Sequence, residues 1–409
     1  MTSSPIHRRS LLKTLAAAPW LLRGQENLPP VRAITKAPGY HWFGYYDKLQ
    51  FDPTSRFVLG NQVDFQGRTP APDDEIRVGM IDLESHDRWT ELGRTRAWCW
   101  QQGCMLQWLP GSKTEVIYND RQGDHYVSHI LDVKTRKTRM LPAPIYAVSP
   151  DARWAIHPEF GRLHDTRPGY GYAGVPDANR EVAAPKDAGI WRLDLVTGKH
   201  DLLIPFARGA ALPNENDDMT GAKHWFNHLL VAPDGKRFVF LHRWQKPGDK
   251  TFTTRMITSN PDGTDLYVLD PFGQTSHFIW RDPNHILAWA RHPSDGDRFY
   301  LYEDRTKKVE VVGRGVMVVN GHCTYLPDKR WILNDTYPDR DRKQNPYLFN
   351  TVSGKRYPLG HFNMPKEYGG EFRCDNHPRF SPDGTKVTID SPHEGGRQIY
   401  LIDIAGIVG

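Results

Sequence analysis

The sequence has little cysteine, no long apolar run and no cluster of basic residues. Only 4 Cys occur among 409 residues, without a Cys-x-x-Cys pair, which excludes a disulfide scaffold. No apolar run approaches about 18 residues, and mean hydropathy is -0.62, so we expect no membrane-spanning helix. The 53 Lys and Arg exceed the 48 Asp and Glu by a formal charge of +5, and without a basic run we expect no nucleic-acid partner. This small excess suits an anionic substrate.

Near the amino terminus, Arg8 and Arg9 precede a short apolar stretch from Thr14 to Leu22. Paired arginines before a modest hydrophobic segment resemble a bacterial twin-arginine export signal, and this segment is too short to span a bilayer. A basic amphipathic first helix is the alternative. We therefore predict an export signal over residues 1–28, a periplasmic or secreted location, and a single folded domain over residues 29–409.

One motif recurs through the rest of the chain: a turn built on Pro-Asp-Gly or a relative, followed at once by an apolar β run. Pro followed by Asp-Gly is typical of a tight turn between two strands, so each copy predicts a hairpin. The 7 turns are Asp52-Pro53, Leu109-Pro110-Gly111, Ser149-Pro150-Asp151, Pro233-Asp234-Gly235, Asp282-Pro283-Asn284, Pro327-Asp328 and Pro382-Asp383-Gly384.

A second strand pattern alternates with these hairpins, as in Ile190–Asp194 and Leu266–Asp270. Helical periodicity is almost absent. Four-stranded units repeating every 40–55 residues or so are typical of a β-propeller. We predict an all-β fold, a seven-bladed β-propeller with four-stranded antiparallel blades. Residues 32–48 are expected to supply a strand that closes the ring, and Arg162–Ala188, rich in Pro, Gly and Tyr, is expected to form an insertion on a rim.

Histidines occupy one equivalent position in four consecutive blades. In a propeller the innermost strand lines the central channel, and here it should be the strand that enters each Pro-Asp turn. We take the last position of that strand as the reference in each blade: Ala232, Arg281, Leu326 and Ser381. A histidine lies four residues before each reference position: His228, His277, His322 and His377. The first three blades carry Lys48, Met105 and Ile145 there. Equivalent positions in a closed ring converge near the axis, so we expect these imidazoles to meet.

Converging imidazoles favour a divalent metal such as Zn or Mn, with Ca a further candidate and the neighbouring Cys323 and Asp375 as possible substitute ligands. The alternative is a polar channel in which the histidines bond only to backbone or water. Whether such a metal would be catalytic or structural is left open by the sequence.

Other polar residues on the same segments are candidates for catalysis. His125 and Tyr146 are candidate proton carriers, and Arg243 can hold a carboxylate in bidentate fashion. Asn227 and His242 complete the candidate set because they directly adjoin His228 and Arg243. Each of these, taken singly, could instead be a surface or packing residue.

These segments resemble seven-bladed polysaccharide lyases. The resemblance rests on Asn227-His228, His242-Arg243-Trp244, Gly321-His322-Cys323-Thr324-Tyr325 and the stretch from Asp375 through His377 to Pro382-Asp383-Gly384. Oligogalacturonate lyases are most similar at the last of these, and ulvan lyases are similar in layout. In oligogalacturonate lyases, histidines and a glutamine hold a divalent metal that binds the uronate carboxylate. The resemblance places His377 and His322 on such ligands, with Asp375 where a further His is expected and no counterpart of the Gln.

Ulvan lyases transfer protons with His and Tyr and neutralise the carboxylate with Arg. The resemblance implies that Arg243 and His125 match that Arg and one His, whereas Tyr146 stands where a second His is expected and Asn227 where a Tyr is expected. The prediction is therefore β-elimination: a metal or Arg243 neutralises the uronate carboxylate, His125 or His228 removes the C5 proton, and Tyr146 or a water protonates the leaving oxygen.

The sequence thus predicts a monomeric, secreted polysaccharide lyase that acts on an acidic oligo- or polysaccharide with a His-bound divalent metal. Two other classes of function stay open. One is a hydrolytic or inactive propeller that binds acidic glycans. The other is a TolB-like propeller that serves as a protein-interaction scaffold.

Overall fold

Seven four-stranded antiparallel sheets follow one another along the chain in a computed structural model that describes residues 27–409. This arrangement confirms the predicted all-β, seven-bladed propeller with four-stranded blades. The paired arginines and the apolar stretch of the predicted export signal lie outside the described residues. Within the described range, no helix combines the length and apolar character needed to cross a bilayer.

The strands are numbered in chain order. β1 (Val31–Ala33) precedes blade 1, which contains β2 (Tyr40–Trp42), β3 (Phe57–Val63), β4 (Ile76–Asp82) and β5 (Arg88–Thr95). Blade 2 contains β6 (Gln107–Trp108), β7 (Glu115–Gln122), β8 (His125–Asp132) and β9 (Thr138–Leu141). Blade 3 contains β10 (Ala147–Val148), β11 (Trp154–His157), β12 (Gly189–Asp194) and β13 (His200–Pro205). Blade 4 contains β14 (Lys223–Val231), β15 (Phe238–Gln245), β16 (Thr253–Ser259) and β17 (Tyr267–Asp270).

The remaining blades follow the same plan. Blade 5 contains β18 (Thr275–Asp282), β19 (His285–His292), β20 (Gly296–Glu303) and β21 (Val309–Val311). Blade 6 contains β22 (Thr324–Tyr325), β23 (Trp331–Asn334), β25 (Tyr347–Asn350) and β26 (Arg356–Pro358), and a side sheet pairs β24 (Lys343–Gln344) with β27 (Phe362–Asn363). Blade 7 contains β28 (Arg379–Phe380), β29 (Lys386–Ser391) and β30 (Gln398–Asp403). The helices are α1 (Phe160–Thr166), α2 (Phe206–Ala210), α3 (Ala405–Val408) and a 3-10 turn at Gly370–Phe372.

The Pro-Asp-Gly turns form for local reasons, as blade 4 illustrates. The backbone N–H of Gly235 donates to the carbonyl of Ala232 at 2.9 Å, and that of Lys236 donates to the Asp234 carboxylate at 3.1 Å. Gly235 has φ +70°, a left-handed conformation that costs little without a side chain. The turn leads from β14 into β15, so the strand that enters it is the first of its blade, as the sequence predicts.

The ring closes by pairing the two ends of the described chain. β1 lies antiparallel against β30, with Val31 opposite Ile402, and supplies the outer strand of blade 7. Ile34, which follows β1, is 2% exposed and packs in a small apolar cluster with residues of β3, β4 and β30. The closing strand therefore begins one residue before the predicted range 32–48, and residues 40–42 form the inner strand of blade 1 instead.

The insertion in blade 3 runs over residues 158–188, between β11 and β12, and contains α1. Its anchor is Arg162, whose buried guanidinium pairs with Asp177 at 2.8 Å. The same side chain donates to the carbonyl of His224 in β14 at 2.6 Å. A buried arginine that bonds to both a carboxylate and a carbonyl holds a segment in one position, so the insertion is fixed against blade 4.

Polar side chains of second strands join successive blades. Asn119, in β7, donates to the carbonyl of Ile145 and accepts its N–H, both at 2.7 Å. Asp390, in β29, accepts the backbone N–H groups of Phe43 and Gly44 at 3.2–3.3 Å. These bonds satisfy buried backbone groups where each new blade begins, and they fix the neighbouring inner strands relative to one another.

Candidate functional site

The histidines of the four later blades lie within the first strand of the blade (His228 and His277) or two residues before it (His322 and His377). His228 lies at a register shift in β14, between Asn227 and Leu230, and has φ +53°. His377, just before β28, has φ +41°. Left-handed backbone at a residue other than glycine is uncommon, and an irregularity of this kind turns a side chain out of the strand's ordinary alternation.

The four imidazoles converge as the sequence spacing predicts, although not evenly. The ring centroids of His277 and His322 lie 4.0 Å apart, and those of His322 and His377 lie 4.2 Å apart. His228 is farther away, 6.4 Å from His277. All four side chains are buried, with exposed fractions of 6% or less. The cluster is therefore a row of three contacting rings with a fourth beside it.

Three side chains in this cluster have the arrangement of a metal site. One ligand atom from each of His322, Asp375 and His377 lies within 4.8 Å of the other two. His322 Nε2, His377 Nε2 and one Asp375 oxygen are buried and have no hydrogen-bond partner among the described residues. Buried polar atoms are normally satisfied, and imidazole with carboxylate is a donor set suited to Mn²⁺ or Zn²⁺. The residues therefore fit a divalent cation; we call them the three-ligand centre.

Asp335 organises this centre from behind. It follows β23, and its two oxygens lie 2.9 and 3.0 Å from Nδ1 of His322. It also accepts the backbone N–H of His322 at 2.7 Å and that of His377 at 3.1 Å. Because Nδ1 donates to the carboxylate, the lone pair of His322 lies on Nε2, where a metal would bind. Sequence spacing gave no signal for Asp335, since it follows a second strand and so lies outside the repeated offset.

His277 adjoins the three-ligand centre without belonging to it. Its Nδ1 lies 3.0 Å from the Asn320 side-chain oxygen, and its Nε2 lies 3.4 Å from the hydroxyl of Tyr337. Burial, and next the neighbouring His322, lower the pKa of His277 well below its usual value, so the ring is neutral. With Nδ1–H donated to Asn320, the lone pair of Nε2 faces Tyr337 and the centre.

His228 lies in a pocket of tyrosines. Its Nε2 is 3.4 Å from the Tyr45 hydroxyl, and its Nδ1 is 3.4 Å from the Tyr146 hydroxyl. Gln102 donates to the Tyr146 oxygen at 2.7 Å, which leaves the phenol proton of Tyr146 free for another acceptor. Burial is the main cause that lowers the pKa of His228 and raises those of both tyrosines. The imidazole is therefore neutral and both phenols are protonated.

Arg373 links the three-ligand centre to the insertion of blade 3. It pairs with Asp375 at 2.7 Å and donates to the hydroxyl of Tyr170 at 2.6 Å. Burial opposes the charge of Arg373, but Asp375 and the tyrosines more than offset it and raise its pKa well above the usual value. The ring of Tyr170 lies 5.5 Å from that of His228, so a residue of the insertion forms part of the site wall.

The other predicted catalytic residues occupy different surroundings. Arg243 is 4% exposed and donates to Thr254 at 3.2 Å. Asn227 is buried, and neither polar atom of its side chain has a partner among the described residues. Both nitrogens of His242 are engaged, with His224 at 2.8 Å and with Arg255 at 3.1 Å.

His125 is a further candidate, besides His242, that the structure does not bring into the cluster. It is exposed at the β7–β8 hairpin and bonds to the adjacent Asp124 at 3.2 Å. It lines a separate cavity of about 530 Å³ together with His157 and His200. A hairpin between the second and third strands lies farther from the axis than the start of an inner strand, and the sequence offset does not reveal that radial distance.

Comparisons of the chain with family models and with curated proteins find no match. Among solved structures, an oligogalacturonate lyase in complex with manganese superposes with a TM-score of 0.65 at 17% identity, covering 92% of this chain and 93% of that one. A second oligogalacturonate lyase, from Vibrio parahaemolyticus, gives 0.63 at 15% identity, covering 91% and 93%. The tricorn protease gives 0.50 at 10% identity, covering 90% of this chain and 34% of its own. In its fold, a seven-bladed propeller, the chain is similar to the oligogalacturonate lyases over nearly its whole length.

Proposed function

We propose that the protein cleaves a uronic-acid-containing oligo- or polysaccharide by β-elimination, with a divalent metal held by His322, Asp375 and His377. The observation that carries the proposal is the group of three buried, unsatisfied ligand atoms beside a neutral histidine of fixed tautomer. The fold shared with an oligogalacturonate lyase that binds manganese supports the same choice.

The metal, when bound, would neutralise the uronate carboxylate and so acidify the C5 proton. His322 and His377 would offer it Nε2 lone pairs, and Asp375 a carboxylate oxygen. Asp335 keeps the His322 lone pair on Nε2, and Arg373 fixes the second oxygen of Asp375. The ligands are therefore held in place by bonds that do not depend on the metal.

We assign removal of the C5 proton to His277. Its Nε2 carries the lone pair because Nδ1–H donates to Asn320, and its ring contacts that of the metal ligand His322. His125 is too peripheral for this role. His228 stands apart from the three contacting rings, 6.4 Å from His277, which makes it a weaker candidate for the base.

Tyr337 is placed to protonate the leaving oxygen. Its hydroxyl lies 3.4 Å from His277 Nε2, and burial, followed by the charge of Asp375, raises its pKa well above the usual value. The phenol is therefore protonated. The electron pair of the C5–H bond forms the C4–C5 double bond, the C4–O bond breaks, and the phenol proton goes to the departing oxygen.

The test is to incubate the manganese-loaded protein with uronic-acid oligosaccharides and to follow ultraviolet absorbance, because elimination creates a conjugated double bond. We expect absorbance to rise with the wild type and with the control His292→Gln, a histidine of blade 5 whose side chain hydrogen-bonds to nearby Ser294. We expect no rise with His277→Gln, although its metal content should be unchanged.

Other outcomes point to other functions. New reducing ends without absorbance would identify a hydrolase, and glycan binding without cleavage would identify an inactive acidic-glycan binder. If the protein neither binds nor cleaves such glycans, the proposal fails and a TolB-like interaction role becomes the better account.

Export by the twin-arginine route is part of the proposal, because a polysaccharide-degrading enzyme meets its substrate outside the cytoplasm. It is supported by the motif at Arg8 and Arg9. Cell fractionation of the wild type and of the double variant Arg8→Lys, Arg9→Lys tests it. We expect the wild type in the periplasm or medium and the variant in the cytoplasm; equal distribution would contradict the export route.

A further inference from the structure

Two arginines next to the site have no anionic partner within residues 27–409. We propose that Arg167 and Arg243 form a second anion subsite, which binds a carboxylate or sulfate group on the sugar adjacent to the reacting uronate. This inference rests on the proposed function for the identity of the ligand. It adds a specificity determinant that the blade 3 insertion supplies.

Arg243 is a buried cation with unused hydrogen-bonding capacity. Its Nε donates to Thr254, and its buried Nη1 has no partner among the described residues. Burial, followed by the nearby charge of Arg167, lowers the pKa of Arg243 to about 9. A guanidinium in this state gains strongly from an oxyanion that accepts its free N–H groups.

Arg167 contacts the same phenylalanine ring as Arg243. It directly follows α1, and its guanidinium lies 4.9 Å from the ring centre of Phe252, while that of Arg243 lies 4.7 Å from the same ring. The buried Nε of Arg167 also has no partner among the described residues. Two cations held together around one phenylalanine repel each other, and one bound anion would relieve that repulsion.

Buried arginines elsewhere in the described chain are compensated differently. Each of the following bonds to a carboxylate at 3.0 Å or less: Arg162 to Asp177, Arg237 to Asp304 and Arg379 to Asp390. Arg255 lacks a carboxylate partner but donates to three backbone carbonyls and a histidine. Arg397 donates to two backbone carbonyls, although its buried Nε has no partner among the described residues. Arg243 departs from all of these, because within the described chain its guanidinium donates to Thr254 and to neither a carboxylate nor a carbonyl.

The position of the pair fits a neighbouring sugar. The guanidinium of Arg167 lies 4.9 Å from the ring centre of Tyr170, whose hydroxyl contacts Arg373 and through it Asp375 of the three-ligand centre. The pair is therefore separated from the centre by the width of this Tyr170–Arg373 bridge. The three-ligand centre would hold one anionic group of a glycan, and the two arginines would hold a second anionic group of the same glycan.

The experiment measures binding by calorimetry with the full, manganese-loaded chain carrying His277→Gln, so that ligands are not consumed. The ligands are a uronate disaccharide with both carboxylates free and each of its two monomethyl esters. A third kind of ligand, a uronate joined to a sulfated neutral sugar, distinguishes sulfate from carboxylate. We expect Arg167→Gln to weaken binding of the free disaccharide by roughly 10–100-fold, the loss of one charge-assisted interaction.

We expect Arg167→Gln to leave one monoester bound as tightly as before, namely the ester that lacks the charge facing the arginines. We expect the same pattern from Arg243→Gln. If that variant fails to fold, Arg243→Lys replaces it in the test, because lysine keeps the charge but not the planar fork. The matched control is Arg180→Gln, an exposed insertion arginine that pairs with Asp165. It should bind all ligands like the parent.

Equal affinity of the Arg167→Gln protein and its parent for every ligand would overturn the inference. The ultraviolet assay on the wild type decides the proposed function separately. If Arg167-dependent discrimination occurs without any elimination, the anion subsite stands and the lyase assignment fails. If elimination occurs and the Arg167→Gln protein distinguishes the ligands as its parent does, the lyase assignment stands and the anion subsite fails.

Discussion

Replacing Asp335 by Asn should weaken metal binding without touching a metal ligand. The carboxylate accepts three N–H groups: the backbone N–H of His322, its Nδ1–H, and the backbone N–H of His377. An amide of the same shape replaces one acceptor oxygen by a donor NH₂. Either His322 changes tautomer, which puts a proton on Nε2, or a donor faces the buried N–H of His377.

Loss of such a supporting bond typically reduces metal affinity about 10–100-fold, which corresponds to about 1.4–2.7 kcal/mol. The unsatisfied buried N–H should also destabilise the metal-free protein by about 1–3 kcal/mol. Titration calorimetry with Mn²⁺ on chelator-stripped protein measures the first quantity, and urea denaturation measures the second.

Asn119→Ala is the matched control, because it removes a similar blade-to-blade bond at the junction of blades 2 and 3. It should lower stability and leave Mn²⁺ affinity at the wild-type value. If Asp335→Asn binds Mn²⁺ as tightly as the wild type, the geometric account of the three-ligand centre is refuted.

Four other substitutions test separate parts of the structure. His322→Ala and His377→Ala should each remove stoichiometric metal in elemental analysis; full occupancy in either would reject that ligand. Ile34→Ala, next to the closing strand, should lower the free energy of unfolding in urea by about 2–5 kcal/mol, the usual cost of truncating a buried isoleucine. A change near zero would show that packing beside the closing strand contributes little to stability. Burial lowers the pKa of His41 from 6.5 to about 4, so only the unfolded chain takes up this proton between those values. Stability should be fully present above pH 6.5 and fall toward pH 4 by about 1.4 kcal/mol per pH unit from this group, and His41→Gln should flatten that slope in acid titrations followed by circular dichroism.

The repeat of turn and strand made the fold predictable, because each Pro-Asp turn is decided by its own few residues. The same repeat placed the four histidines, since an equal offset in successive blades means an equal height in a closed ring. His277, His322 and His377 accordingly lie side by side.

The supporting residues could not be found in this way. Asp335 follows the second strand of its blade and Asn320 precedes the first, so neither shares the offset that placed the histidines, and Arg373 precedes its inner strand by several residues. His125 illustrates a different limit: the structure places it on an exposed hairpin, and the sequence does not encode how far that hairpin lies from the axis. Each depends on contacts between segments far apart in the chain, which only the assembled ring defines.

Of the seven blades in the described chain, blade 7 alone combines strands from both chain ends, and it also carries Asp375 and His377. The seam between β1 and β30 is only three residue pairs long, so transient opening should begin there rather than in the blades formed from one continuous segment. A cation that bridges blades 6 and 7 would then stabilise the closed ring. By thermodynamic reciprocity, a more stable seam would raise the affinity of the protein for that cation. Metal occupancy and closure of the ring would therefore report on the same equilibrium.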